Sequence, residues 1–251
     1  MVHFVGAGPG AVDLITVRGA QLLSQADVVI YAGSLVNPDL LSYVKEGCEI
    51  HNSAGMTLEE TFSVICQAEQ AGKMTVRLHT GDPSLYGAIG EQMALLRQEG
   101  IPFDVTPGVS SFCGAAAALP AEYTLPGVSQ SVVITRMAGR TPVPERESVA
   151  SFAAHGATMV IFLSTGLLPQ LRQELLSGGY APDTPAAIVY KATWPDEKVI
   201  RGRVDQLPQM AEENGVTKTA LILVGGFLEE DFQRSKLYDP AFGHEFREAA
   251  R

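Results

Sequence analysis

The chain has 251 residues, of which 46% are hydrophobic and 18% are charged, and its formal net charge at pH 7 is −10. This composition is typical of a globular protein with enough apolar material for one large domain or two small ones. The acidic balance, without a lysine- or arginine-rich run, argues against nucleic acid as a partner, because phosphate binding needs clustered cations.

Short runs rich in valine and isoleucine alternate with helical stretches over the first 120 residues. Strands are predicted at 3–5, 28–31, 49–51, 75–79 and 103–106. Helices are predicted at 16–24, 38–44, 58–71, 87–99 and 110–118. Thr57, with Glu60 three residues later, predicts a capping box at the start of the third helix. Since strands that alternate with helices need crossover connections, we expect a largely parallel sheet.

The segment 119–130 carries two prolines and no helical period, so we interpret it as the link between two domains. A second series of strands and helices follows. Its predicted strands are 132–135, 158–163, 186–190, 198–203 and 220–224. Its predicted helices are 148–154, 168–177 and 204–213, the last interrupted near Pro208. The predicted domains are therefore 1–120 and 121–231, followed by a tail, 232–251, with weak periodicity.

Three glycine-containing loops follow predicted strands of the first domain. They are residues 6–10 (GAGPG), 80–87 (TGDPSLYG) and 106–112 (TPGVSSF). Glycine lets backbone approach a ligand closely, Asp82 offers a hydrogen-bond acceptor, and a helix start with Ser110 and Ser111 suits a carboxylate. A structural explanation stays open for each, because Asp82 and the serines could simply cap helices. All three loops leave the same edge of a parallel sheet, so one ligand could contact them all.

The first loop departs from the GxGxxG pattern of dinucleotide-binding folds. Its third glycine comes one position early, after Pro9, and no acidic residue follows the second strand, where Tyr31-Ala32-Gly33 stands. A nicotinamide-dependent oxidoreductase therefore remains only a minor alternative.

Three cysteines, Cys48, Cys66 and Cys113, lie far apart and form no CxxC pair, which favours free thiols in a reducing cytoplasm. The start MVHFVGAGPG lacks the features of a signal peptide, and no apolar run approaches the roughly 20 residues that span a bilayer. We expect a cytoplasmic protein without membrane contact. No HxxxH pattern or acidic cluster indicates a metal site.

With these loops in view, the chain resembles the tetrapyrrole (corrin/porphyrin) methyltransferase family. The segments that carry the resemblance are VGAGPGAVDLITVRG, GDPSLYG and TPGVSSF, and it extends from Val2 to about Leu228. The segments YAGSLV (31–36), LPGVSQSV (125–132) and ATWPD (192–196) are similar to the branch that methylates precorrin-4 or cobalt-precorrin-4 at carbon 11 in cobalamin biosynthesis. Family members that act on carbon 2 of uroporphyrinogen have an aspartate in the first of these segments, and this sequence has none.

The resemblance implies an α/β fold with two αβα domains and a ligand cleft between them. It also implies S-adenosyl-L-methionine as methyl donor, S-adenosyl-L-homocysteine as product, a tetrapyrrole substrate and a homodimer. The residues that it places against the cofactor are Pro9, Gly81, Asp82, Leu85, Ser110, Ser111, Leu163, Ala187 and Ala220.

The carboxylates of such a substrate need cationic partners. The candidates are Arg18, Arg77, His79, Arg136, Arg140, Lys191 and Arg201. We prefer Arg18, Arg136 and Arg140, because they follow glycine-rich loops or strand ends, although each could equally be a solvated surface residue. Tyr31, Ser34 and Tyr86 are candidates for contact with the macrocycle, and Tyr86 is equally well explained as a core aromatic.

Methyl transfer from a sulfonium is an in-line displacement, and an electron-rich ring carbon needs little activation. The enzyme's main tasks are alignment and the exclusion of water, so we assign no catalytic acid or base. Three alternatives stay open besides the oxidoreductase. They are methylation of another tetrapyrrole position, methylation of RNA or protein by the same fold, and a non-catalytic corrinoid carrier.

Overall fold

The computed structural model describes residues 1–249. They divide into two compact units, Met1–Ala115 with Lys191–Glu197, and Ala116–Tyr190 with the chain from Lys198 onward. The sequence analysis did not place residues 191–197 with the first unit, and its domain boundaries, 1–120 and 121–231, stay predictions. The last two residues of the predicted tail, 232–251, lie outside the described residues.

The first unit is built on a five-stranded sheet. Its strands are β1 (Val2–Gly6), β2 (Val28–Tyr31), β3 (Glu49–Asn52), β4 (Thr75–His79) and β5 (Phe103–Thr106). Its helices are α1 (Val17–Gln25), α2 (Leu58–Gln70), α3 (Ile89–Gln98) and α4 (Ser111–Ala118). The strand order is β3-β2-β4-β1-β5 and every neighbouring pair is parallel, which confirms the predicted parallel sheet.

Both faces of this sheet are covered, because neighbouring side chains of a strand point to opposite faces. On one face Val5 lies in a buried cluster with Leu23 of α1. On the other face Phe4 lies in a cluster with Ile65 of α2 and Leu96 of α3. Burial on both faces explains why the interior strands β1 and β2 are largely apolar, whereas the edge strands β3 and β5 are partly exposed and include polar residues.

The starts of two helices in this unit show how local chemistry sets their bounds. Thr57 and Glu60 form the predicted capping box before α2. By contrast, α3 begins at Ile89, so the predicted start at residue 87 is wrong. Tyr86 and Ala88 have left-handed backbone, with φ of 56° and 50°, and a helix cannot pass through them.

The second unit also contains a five-stranded sheet. Its strands are β6 (Val132–Arg136), β7 (Thr158–Phe162), β8 (Pro185–Tyr190), β9 (Lys198–Arg203) and β10 (Ala220–Val224). Its helices are α5 (Val149–Ala153), α6 (Leu168–Ser177) and α7 (Leu207–Glu213). The order is β6-β7-β10-β8-β9, and only β6 and β7 are parallel among these neighbours.

The predicted helix 204–213 is two elements rather than one interrupted helix. A 3-10 helix, Val204–Gln206, precedes α7, and Pro208 lies in the first turn of α7, where no intrahelical hydrogen bond is lost. Side chains of α5, α6 and α7 share one buried cluster with the sheet.

The tail has some local order. It contains a short 3-10 helix, Lys236–Tyr238, and the Arg247 guanidinium donates to the carbonyl oxygens of Leu237, Asp239 and Phe242. Within residues 1–249, every helix is too short or too polar to cross a membrane.

Candidate functional site

Three loops leave the carboxyl ends of β1, β4 and β5, which are neighbours in the sheet. We name them loop A (residues 7–11), loop B (80–88) and loop C (107–110). The Gly81 N–H donates to the Gly8 carbonyl oxygen at 2.9 Å, and the Gly8 N–H donates to the Gly81 carbonyl oxygen at 3.3 Å. The predicted meeting of these loops at one sheet edge is confirmed, and loops A and B are joined backbone to backbone.

Close packing of the loops explains why Gly6 and Gly108 are glycines. A β-carbon on Gly108 would lie 2.1 Å from the Gly81 carbonyl oxygen, and one on Gly6 would lie 2.5 Å from the Gly108 Cα. At these two positions the close approach is between backbone segments of neighbouring loops. Gly81 differs from them. It has a φ of 61°, and the nearest neighbour of a β-carbon there is the Ser110 Cα at 3.5 Å.

Asp82 ties loop B to loop C. One carboxylate oxygen accepts hydrogen bonds from the Ser84 N–H, at 2.8 Å, and from the Ser84 hydroxyl, while the other accepts from the Gly108 N–H at 2.9 Å. Partial burial raises the pKa of Asp82, but these hydrogen bonds outweigh it, so the pKa lies below its ordinary value of 3.8. Asp82 does not cap α3, and the alternative that it is a helix cap is wrong.

The other predicted cofactor residues of this unit lie on the same loops. Ser110 is buried, Ser111 is the first residue of α4, and Leu85 is half-buried in loop B. The N–H groups in the first turn of a helix have no intrahelical partner, so α4 offers donors for an anionic group at this edge. Tyr86 is 44% exposed, which excludes the core-aromatic interpretation.

Loop A is held by a segment that is distant in sequence. The Trp194 indole N–H donates to the Pro9 carbonyl oxygen at 3.2 Å, and the Ala11 N–H donates to the Thr193 hydroxyl at 2.9 Å. A β-carbon on Gly10 would lie 2.1 Å from the Trp194 ring. This structural role of the ATWPD segment was not predicted from the sequence.

Asn37 is a further residue that the sequence analysis missed. Its buried side chain donates to the Gly10 carbonyl oxygen at 2.9 Å. An asparagine before a proline is typical of a helix start, and that signal predicts its capping role but not its contact with loop A.

The predicted substrate residues of the first unit lie near these segments in sequence. Tyr31 ends β2 and is half-buried, whereas Ser34 is exposed in the segment that leads to Asn37. Arg18 is exposed on α1.

Arg77 and His79 are wrong as candidates for substrate carboxylates, because both are buried in β4. The Arg77 guanidinium donates to the Gln92 side chain at 3.1 Å and to the Ile30 carbonyl oxygen at 3.2 Å, and burial lowers its pKa to about 10. Burial and the neighbouring Arg77 charge lower the pKa of His79 to about 3. Both residues belong to the interior of the first unit.

Two of the three predicted cofactor residues in the second unit share one end of the sheet. Leu163 is 64% exposed, has a φ of 53° and lies just beyond β7, so its predicted place in the strand is wrong. Continuing the β7–β10 register puts Ala220 opposite Leu163, and the Thr165 hydroxyl donates to the Ala220 carbonyl oxygen at 3.2 Å. Ala187 is buried and pairs with Leu223, three residues along β10 from Ala220.

Ser164 fixes the turn at Leu163. It is fully buried, and its hydroxyl donates to the Phe162 carbonyl oxygen at 2.6 Å and accepts from the Met137 N–H at 2.9 Å. The turn after β7 is therefore tied to the loop 137–142 that follows β6. This role of Ser164 was not predicted from the sequence.

The preferred arginines of this unit differ in what they contact. The Arg136 guanidinium donates to the carbonyl oxygens of Met137, Thr141 and Pro142, at 3.1, 3.2 and 2.8 Å, and so shapes the loop 137–142. Arg140 is exposed in the same loop. Of the other candidates, Lys191 pairs with Asp196, and Arg201 donates to the carbonyl oxygens of Leu119 and Leu228.

The family described as Tetrapyrrole (Corrin/Porphyrin) Methylases matches residues 1–208 of the chain. The chain belongs to this family. A similar tetrapyrrole methylase is the cobalt-precorrin-4 C(11)-methyltransferase of Methanocaldococcus jannaschii, which is 50% identical over 249 residues, 99% of this chain and 96% of the relative.

Solved structures of tetrapyrrole methylases share the fold. A cobalamin biosynthetic enzyme, cobalt precorrin-4 methyltransferase, is 49% identical with a TM-score of 0.89, covering 91% of this chain and 95% of that one. The uroporphyrin-III C-methyl transferase of Thermus thermophilus, complexed with S-adenyl homocysteine, is 25% identical with a TM-score of 0.74, covering 91% and 93%. The predicted α/β fold and methyltransferase activity are confirmed.

Within residues 1–249, no group of three or more His, Cys, Asp or Glu side chains is placed to hold a metal ion.

Proposed function

We propose that this tetrapyrrole methylase transfers a methyl group from S-adenosyl-L-methionine to carbon 11 of precorrin-4 or cobalt-precorrin-4 in cobalamin biosynthesis. The observation that carries the proposal is 50% identity over nearly the whole chain to a relative named for that reaction. The uroporphyrin-III methyltransferase shares the fold at half that identity, which favours the precorrin-4 branch over the carbon-2 branch.

The residues of the first unit fit a sulfonium donor with a carboxylate. Gly81 lies in van der Waals range of the Ser110 backbone, 3.5 Å from the position of a β-carbon, and the first turn of α4 offers backbone N–H groups at the same edge. We propose that the donor is held there by Pro9, Gly81, Asp82, Leu85, Ser110 and Ser111. Asp82 would act mainly by fixing loops B and C, because its oxygens already accept three hydrogen bonds.

In the second unit we propose Leu163 and Ala220 as cofactor contacts. Leu163 keeps an exposed apolar side chain on strained backbone, a combination that is enriched at ligand sites. We also propose Ala187 of β8, which is buried, as Ala220 is.

S-adenosyl-L-methionine supplies an electrophilic methyl group on a sulfonium, so the carbon–sulfur bond breaks, its electron pair stays on sulfur and a carbon–carbon bond forms. The positive charge of the sulfonium is lost in the reaction, so the protein has to align the reactants more than it has to stabilise a developing charge. Hydrogen bonds between loops A, B and C supply that rigidity, and we propose no residue as catalytic acid or base.

For the tetrapyrrole we propose Arg18, Arg136 and Arg140 as partners of its carboxylates. Arg18 and Arg140 are exposed, whereas Arg136 already donates three hydrogen bonds to carbonyl oxygens and could use the other two of its five N–H donors for a carboxylate. We propose Tyr31, Ser34 and Tyr86 as macrocycle contacts, supported by the exposure of Ser34 and Tyr86.

We also propose that the enzyme acts in the cytoplasm as a homodimer, with no nucleic-acid or membrane partner. The three cysteines are free thiols, which suits a reducing compartment. The net charge of −10 disfavours nucleic acid, and the homodimer rests on the family resemblance.

The test is incubation with methyl-labelled S-adenosyl-L-methionine and precorrin-4, with and without cobalt, followed by mass analysis and carbon-13 NMR. We expect one methyl group per tetrapyrrole at carbon 11. Parallel incubations replace precorrin-4 with uroporphyrinogen, RNA or protein, and label on any of these acceptors but not on precorrin-4 would replace this proposal with another activity of the fold. Tetrapyrrole binding without consumption of the donor would indicate a carrier.

A further inference from the structure

Asn37 lies where two of the proposed ligand-binding segments meet. It directly follows the substrate segment, residues 31–36, and only 7% of its surface is exposed. Its side-chain N–H donates to the Gly10 carbonyl oxygen at 2.9 Å, and its side-chain oxygen accepts from the Asp39 N–H at 3.0 Å. The residue is thus the N-cap of the 3-10 helix Pro38–Tyr43 and a contact of loop A at once.

The two hydrogen bonds fix the orientation of the Asn37 amide. In the reversed orientation its oxygen would face the Gly10 carbonyl oxygen and its N–H would face the Asp39 N–H. The next residue, Pro38, has a restricted φ and stiffens the backbone just after the cap. The substrate segment therefore ends at a residue whose position is tied to loop A.

The part of loop A that Asn37 contacts is held on other sides too. Trp194 donates to the carbonyl oxygen of Pro9, and Thr193 accepts from the N–H of Ala11, so Pro9, Gly10 and Ala11 each have one backbone group in contact with a side chain. The Trp194 ring also fills the space that a side chain on Gly10 would need. Side chains from two other segments therefore hold this turn in place, as is typical of a turn that positions a bound group.

We propose that Asn37 is a positioning residue that sets the turn at Pro9 against the substrate segment, so that the methyl donor and its acceptor carbon are aligned. The inference rests on the proposed function, which puts Pro9 beside the donor and Tyr31 and Ser34 beside the tetrapyrrole. An in-line displacement is sensitive to such alignment, since a misplacement of about 1 Å can reduce the rate about 100-fold.

Two variants separate this role from simple capping. Asn37→Asp keeps the oxygen that accepts from Asp39 but turns a second oxygen toward the Gly10 carbonyl oxygen. Asn37→Ser keeps a good helix cap, yet its side chain is too short to reach Gly10. The control is Thr57→Ala, which removes the N-cap of α2 without removing a contact of loop A, and which is expected to lower the melting temperature.

The measurements are kcat with saturating S-adenosyl-L-methionine and precorrin-4, the calorimetric affinity for S-adenosyl-L-homocysteine, and the melting temperature. We expect kcat to fall about tenfold or more in both Asn37 variants, with a change in affinity of less than about threefold, because the contacts on loops B and C remain. Thr57→Ala is expected to keep kcat within about twofold.

Three results would overturn the proposal. The first is an unchanged kcat in both Asn37 variants. The second is an equal loss of kcat in the Thr57→Ala control when its melting temperature is lowered as much as that of the Asn37 variants. The loss would then reflect lower stability and not a positioning role of Asn37. The third is a wild-type enzyme that transfers no methyl group to precorrin-4, which refutes the proposed function itself and is distinguishable from the first two.

Discussion

Leu163 offers a test in which stability and cofactor binding respond differently to the same substitution. A residue other than glycine in left-handed backbone carries about 1–2 kcal/mol of strain, and glycine regains this at an entropic cost of about 0.5–1 kcal/mol. At a φ of 53°, Leu163→Gly is therefore expected to be more stable than Leu163→Ala by about 0.5–1 kcal/mol. In ordinary helix or strand backbone the order is the reverse.

The effect on cofactor affinity follows from the exposed fraction of Leu163. Burying a whole leucine side chain is worth about 1.5–3 kcal/mol, so the 64% that is exposed represents about 1–2 kcal/mol if the cofactor covers it. Since 1.4 kcal/mol corresponds to tenfold, both variants should bind S-adenosyl-L-homocysteine about five- to thirtyfold more weakly.

Urea unfolding measures the stability of the two variants, and calorimetric titration measures their affinity for S-adenosyl-L-homocysteine. If the alanine variant is as stable as the glycine variant, the backbone at Leu163 is not strained. If both variants bind S-adenosyl-L-homocysteine with wild-type affinity, the cofactor does not cover Leu163, and the proposed contact in the second unit is wrong.

Three further substitutions, with one control, test the loops and turns. Asp82→Ala should lower the free energy of unfolding by about 1–3 kcal/mol, because the N–H groups of Ser84 and Gly108 lose their acceptor. Because the pKa of Asp82 is lowered in the folded state, the full difference in free energy of unfolding between the wild type and Asp82→Ala is expected above about pH 4. The difference should shrink as the pH falls through the pKa of folded Asp82. Gly108→Ala should destabilise the protein by about 1–3 kcal/mol or more in urea unfolding, since its β-carbon would lie 2.1 Å from a backbone oxygen. The control is Gly90→Ala in α3, which has open space around it and should stabilise the protein by about 0.5–1 kcal/mol. Ser164→Ala should cost about 1–3 kcal/mol by the same assay, because the Met137 N–H loses its acceptor.

The first sheet could be predicted from the sequence because its strands and helices alternate strictly, and a parallel sheet with loops at one edge follows from that alternation. The strand directions of the second sheet could not. Ala220–Val224 is buried on both faces, and such a run has the same sequence pattern in a parallel or an antiparallel neighbourhood. Its direction is set by pairing with β7 and β8.

The site was predictable as a set of loops but not as a set of contacts. The glycines, Asp82 and the serines were identified by local motif, whereas the partner of Asp82 lies 26 residues away and the partner of Pro9 lies 185 residues away. Arg77 shows the opposite error. A cation within a strand suggests an exposed face, but this sheet is covered on both faces, and Gln92 and Ile30 satisfy the guanidinium in the interior.

Asn37 and Ser164 share a design, each within its own unit. Each is a short, buried polar side chain next to a proposed ligand contact. Asn37 accepts from Asp39 in its own segment and donates to Gly10 in a second loop, whereas Ser164 donates to Phe162 in its own segment and accepts from Met137 in a second loop. Short side chains with both groups engaged fix backbone position closely, because hydrogen-bond geometry tolerates only a few tenths of an ångström. A methyl transfer that needs alignment and little proton transfer is served by polar residues of this kind. Loss of rate without loss of affinity, rather than a pH-dependent rate, is therefore the kinetic signature to expect when such residues are changed.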